Sequence, residues 1–205
     1  MNVRISTEHK FLAGFWWAGE LSLNHYQIKV DMTTATEDVV EQNTAFLRLR
    51  HIIESTLDNT IFINYNETDV IENYRRAGIK LALLPEDPVD QIVGMVLHSK
   101  LSTVMENRIM IRCLRLSSVK GDNVVYEHGD VEYNPFYKTA GWWGDLDPDN
   151  TENTGSTDPM QINLTTVSAN RHWRDLGLGW DSEENENDQV EGNILVFNGF
   201  KRDAD

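Results

Sequence analysis

The chain has 205 residues, 40% hydrophobic, 9% aromatic and 25% charged, a balance typical of folded globular proteins. Thirty-three acidic residues against 18 basic ones leave a formal charge of −15, which disfavours electrostatic binding to nucleic acid or to an anionic membrane surface. No apolar run approaches the roughly 18 residues of a membrane span, Met1 to Phe11 lacks a signal peptide's apolar core, and the single Cys113 fits a reducing compartment, so the expected location is cytoplasmic.

In chain order, the first clear period is an alternation from His25 to Met32. Tyr26, Ile28, Val30 and Met32 share one face, and Gln27, Lys29 and Asp31 the other, as in a half-buried strand. A helix follows: Thr34 or Thr36 can cap it, Glu37 and Asp38 suit its first turn, and Val39, Phe46, Leu49, Ile53 and Leu57 recur at helical spacing until Asp58-Asn59. Ile61 to Tyr65 is a short β-branched and aromatic strand. Asn66 then caps a helix bearing Val70, Ile71 and Tyr74, which Gly78 stops. Ile79 to Leu84 is the next strand. Asp87 as cap, Pro88 at the first helical position and Asp90 in the first turn open the strongest helix, whose stripe runs through Val89, Ile92, Val93, Val96, Leu101, Val104 and Met105. Ile109 to Leu116, apolar on both faces apart from Arg112 and Arg115, reads as a central strand. Lys120-Gly121-Asp122-Asn123 reads as a hairpin turn into Val124, Val125 and Tyr126. This order predicts an α+β fold, a mixed sheet with at least one parallel βαβ crossover and three helices, with a three-layer α/β arrangement as the alternative.

The charge is uneven. Residues 145–205 hold 14 acidic and 4 basic residues, two thirds of the total excess. Asp145 to Pro159 and Asp181 to Gly192 are poor in large apolar residues and read as loops or partly disordered segments. The apolar stretches Gln161 to Val167, Arg171 to Trp180 and Asn193 to Phe200 can dock back on the body. The expectation is one α+β domain over 1–205, with 145–205 as an acidic, irregular, loop-rich extension packed on it.

Several chemistries lack their residues. No strand runs into a glycine-rich phosphate loop, and Leu84-Pro85-Glu86-Asp87-Pro88 puts carboxylates and prolines where a phosphate site needs amide donors. Gly-x-Ser-x-Gly is absent, and Cys113 falls in a buried strand. The densest ligand-type cluster is Tyr126 to Glu132. On an uninterrupted strand His128, Asp130 and Glu132 share a face and can bind a divalent metal or act as acid and base, but Gly129-Asp130 reads equally as a turn. Asp145, Asp147 and Asp149 alternate as in a calcium loop, yet Asn150 and Ser156 stand where that loop needs Gly and Glu.

Paired tryptophans between small residues recur at Trp16-Trp17 and Trp142-Trp143. On an extended chain neighbours point to opposite sides, so one of each pair can enter the core while the other serves as an interface anchor. Trp173 and Trp180 bracket a segment that packs as a lid or offers a further anchor. Arg48 with Arg50, and Arg75 with Arg76, read as surface residues paired with acids such as Glu54 and Glu72. The leading expectation is a non-enzymatic, cofactor-free binding protein, an adaptor, regulator or inhibitor. It would use Trp16, Trp17, Trp142, Trp143, Trp180 and the acidic run Glu183, Glu184, Glu186, Asp188 to engage a protein partner with a basic surface, with no direct nucleic-acid or membrane contact. The alternatives are a metal-dependent hydrolase centred on His128, Asp130 and Glu132, and a structural subunit of a larger assembly.

Overall fold

The structure, a computed structural model, describes residues 4–106, 108–129 and 173–180. Its strands are β1 (Arg4–Trp17), β2 (Glu20–Thr34), β3 (Thr60–Asn64), β4 (Leu81–Leu84), β5 (Ile109–Ser118) and β6 (Tyr126–Gly129), and its helices α1 (Val39–His51), α2 (Thr68–Arg76) and α3 (Asp90–Val104). The strands form one sheet in the order β4-β3-β1-β2-β5-β6. β3 runs parallel to both β1 and β4, while β1–β2, β2–β5 and β5–β6 pair antiparallel. The sheet is mixed and carries three helices, an α+β fold.

Side-chain alternation sorts the two faces. Tyr26, Ile28, Val30 and Met32 of β2 join Phe11 and Ala13 of β1 and Ile111, Leu114 and Leu116 of β5 in the main core, under α1 and α3. Phe11 stacks on Tyr26 at 5.1 Å, and Phe62 meets both rings edge-on, a trio worth about 0.5–1.5 kcal/mol per pair beyond its buried area. α2 packs on the opposite face, where Ile71 joins Ile61, Ile63, Leu81 and Leu83 in a second cluster. Beyond it that face bears polar residues: Glu8 accepts from Gln27, and Arg115 bridges Asp31 and Glu127.

The structure refines several expectations. β1 is a strand that the alternation rule did not single out, because its inward row includes Thr7 and His9 between apolar residues. β5 is not apolar on both faces: a bulge at Arg112 lets Ile111 and Leu114 both turn inward, and Met110, Arg112 and Arg115 lie on the other side. The α1 cap is Asp38, whose carboxylate accepts from Val40 and Glu41 amides at 2.8 and 3.3 Å, rather than a threonine. A π-type turn, Ile52–Leu57, extends α1 and buries Ile52, Ile53, Thr56 and Leu57. The turn after β5 forms as expected, with Asp122 and Asn123 both left-handed. Among the described residues no helix is long and apolar enough to cross a membrane.

Candidate functional site

Two turns lay out one end of the sheet. Between β1 and β2, Ala18 and Gly19 take φ of 52° and 82°, a hairpin geometry whose twist matches the flanking strands. The register pairs Trp17 with Glu20, Phe15 with Ser22 and Ala13 with Asn24, so Phe15 and Trp17 stand on the helix side of the sheet. Between β5 and β6, Asp122 and Asn123 take φ of 54° and 57°, and the Val124 amide donates to the Gly121 carbonyl at 3.0 Å. The start of α3, with Pro88, Val89 and Asp90, supplies the third wall. These segments, with Tyr126, enclose a cleft of about 190 Å³.

Its polar floor is Asp90, only 9% exposed. The Ser118 hydroxyl donates to Asp90 Oδ2 at 2.6 Å, and the Gly121 amide donates to Ser118 Oγ at 3.1 Å. A Cβ on Gly121 would overlap the Asp90 carboxylate, so only glycine lets the turn close over it. The Lys120 amide is fixed by Asn24 Oδ1 at 3.0 Å. Burial raises the Asp90 pKa, and the Ser118 hydrogen bond opposes that rise. The neighbouring Tyr26 hydroxyl is raised as well, by burial first, against the pull of Asn24. Among the described residues no cation pairs with Asp90. Beside this floor Trp17, 52% exposed, and the exposed Val89 form the apolar edge of the cleft.

Sequence reasoning placed Asp90 in a helical first turn and stopped there. Nothing local marks it, since Ser118 and Gly121 reach it from another element. The glycine in the Lys120–Asn123 turn was the one available signal.

The expected site residues separate. Trp16 and Trp17 point to opposite sides: Trp16 is partly buried and meets Tyr74 of α2 edge-on at 6.0 Å, while Trp17 is exposed. Trp180 is 2% exposed and lies in the core beside Arg48, so it offers no outer surface. Arg48 itself departs from the surface role expected of it: it is 2% exposed and pairs with Glu106 at 2.8 Å, whereas Arg50 and Arg76 do pair with Glu54 and Glu72 at the surface. His128 packs on α3, where a Cβ at Gly94 would overlap its Nε2, and burial, then the nearby His98, lower its pKa. Among the described residues no three His, Cys, Asp or Glu side chains converge as metal ligands. Asp130, Glu132, Trp142, Trp143, Asp145, Asp147, Glu183, Glu184, Glu186 and Asp188 lie outside the described residues.

No protein-family model and no curated protein matches the chain. Among solved structures it is similar to an uncharacterized protein from Wolinella succinogenes, at 9% identity and a TM-score of 0.47, over 64% of this chain and 99% of that one. It is also similar to 6-pyruvoyltetrahydropterin synthase from Plasmodium vivax, at 9% identity and a TM-score of 0.40 over 62% of this chain and 97% of that one. The Plasmodium falciparum synthase gives 11% identity and a TM-score of 0.39, over 62% and 96%. At such identities and scores these likenesses assign no activity to this chain.

Proposed function

We propose that this chain is a non-enzymatic binding protein, an adaptor or regulator, that engages a protein partner with a basic surface through the Trp17 end of its sheet. The observation that carries the reading is the rim itself: Trp17 and Val89 are both exposed at the edge of a cleft also lined by Phe15, Pro88 and Tyr126, on a chain of net charge −15. Single exposed apolar residues are ordinary on a protein surface, but an exposed tryptophan and an exposed valine from two separate segments, flanking one cleft with Phe15, Pro88 and Tyr126, have the make-up of an interface centre. The excess negative charge steers a basic partner towards it and disfavours an acidic one, an attraction that weakens as salt shortens the Debye length.

The test compares the wild-type chain with a Trp17→Ala, Val89→Ser double variant as immobilised baits. Captured proteins are identified by mass spectrometry, and the leading candidate is purified and titrated against both forms. A basic partner whose Kd rises about tenfold or more in the double variant, and rises again with salt, is expected. A partner that binds both forms equally removes the rim from the interface.

A further inference from the structure

We infer that the cleft beside Trp17 receives an arginine side chain of the partner, its guanidinium on the Asp90 carboxylate and its plane against the aromatic wall. This rests on the binding reading above and names the group that the surface recognises. Asp90 is held nine-tenths out of water with a single neutral donor, Ser118. Among the described residues it has no cation, and a buried carboxylate without one is an incomplete pair. Burial accordingly moves its pKa up. Two features hold it in place for a visitor. Ser118 fixes one oxygen, leaving the other for an incoming donor, and the turn at Gly121 packs its bare backbone against that same fixed oxygen, where any Cβ would displace the carboxylate.

The walls favour a guanidinium over other cations. Phe15, Trp17 and Tyr126 supply aromatic surface, and Pro88 and Val89 supply aliphatic surface for a methylene stem. Arginine is planar, weakly hydrated and carries donors in a rigid fork, whereas an ammonium must shed a tighter hydration shell to enter an apolar slot. The volume of about 190 Å³ suits one side chain, below the roughly 300 Å³ at which pockets for free small molecules begin. Lys120 stands exposed at the mouth, where water screens its charge.

The probes are N-acetyl-arginine amide, its neutral isostere N-acetyl-citrulline amide, and N-acetyl-glutamate amide. Each is titrated into the full chain while NMR follows the Ser118 and Gly121 amides and the Trp17 indole N–H. Saturable shifts confined to these groups are expected for the arginine probe, with affinity about tenfold or more above citrulline. Asp90→Asn should abolish that difference. Should Asp90→Asn not fold, Trp17→Ala, at an exposed position, should still weaken the arginine probe several-fold, and Lys120→Ala should leave it equal or tighter. Equal binding of citrulline, tighter binding of glutamate, or no saturation by roughly 100 mM overturns the inference. If the arginine probe fails while the captured partner still depends on Trp17, the arginine site falls and the binding surface stands. If the probe binds but partner capture ignores both Trp17 and Asp90, the assignment to a partner's arginine falls.

Discussion

At the scale of single residues, Arg48 shows how strongly one buried charge is committed. Its Nε donates to the Leu178 carbonyl at 2.8 Å, and Nη1 reaches Glu106 Oε1 at 2.8 Å and the Val104 carbonyl at 3.3 Å. Its guanidinium carbon sits 3.7 Å from the Trp180 ring centre and 4.7 Å from that of Trp173. The Trp180 indole donates in turn to Glu106 Oε2 at 2.8 Å, so one carboxylate serves both partners. The cluster fastens residues 173–180 to the ends of α1 and α3. Removing one member leaves a buried charge uncompensated, so Arg48→Ala is expected to lower the unfolding free energy by about 3–5 kcal/mol. Trp180→Ala should cost a similar amount through its cavity, about 3–5 kcal/mol. Because the two share Glu106, the double variant should lose less than the sum by about 1–2 kcal/mol, read by urea unfolding with an unchanged slope. Strictly additive losses would show that the residues act independently. No local pattern announced this cluster: Arg48 has a helical neighbour, Arg50, that behaves as the surface residue both resemble, and its partners lie far along the chain.

At the scale of elements, the contact between α3 and β6 depends on one missing methyl. Gly94 faces His128, and a Cβ there would overlap the imidazole while meeting Leu116 at no more than ordinary contact. In an unobstructed helix Gly→Ala is stabilising by about 1 kcal/mol, because alanine restricts the unfolded chain and suits the helix. Here Gly94→Ala is expected to destabilise by about 1–3 kcal/mol, as overpacking does. In a His128→Ala background the same change should turn stabilising, a reversal of sign that thermal melting would detect. If Gly94→Ala destabilises equally in both backgrounds, something other than the imidazole fills the space. The elements differ in how much of this the sequence could carry. The β2 faces and the stops at Asn59 and Gly78, both left-handed, follow from period and turn chemistry and were legible. The bulge at Arg112 was not, because two inward residues three apart look the same as a strand apolar on both faces.

For the molecule as a whole, legibility fell with separation along the chain. The parallel crossover and the hairpin could be anticipated from element order. The insertion of β1 between β3 and β2 could not, since its inward row of Ile5, Thr7, His9 and Phe11 interrupts the apolar period that pairing later completes. The candidate site failed for the same reason: Asn24, Asp90 and Ser118 converge from three elements, none with a local signature. The stability of the whole fold carries a pH dependence that can be argued from groups now located. His9, His51 and His128 are all held below the ordinary histidine value, each chiefly by burial, with His98 adding to the effect at His128 and Glu54 opposing it at His9. A lowered imidazole pKa means that the fold favours the neutral form. Its contribution is therefore complete above the unfolded value near 6.5 and is lost as pH falls below it. Two effects run the other way: Asp90, raised by burial, favours the fold more as acid protonates it, and acid relieves the repulsion of a chain at −15. Asp31, held low first by Ser6 and then by Arg115, keeps its contribution above its ordinary value of 3.8 and loses it as pH falls from there through the lowered one. The raw stability profile mixes these terms, so the informative quantity is the difference between wild type and His128→Asn. That difference should favour wild type most at about pH 7.5 and shrink steadily towards about pH 5 in urea unfolding, since only the wild type has an imidazole to protonate at position 128. A difference that instead grows on acidification would mean that His128 gains its proton within the fold.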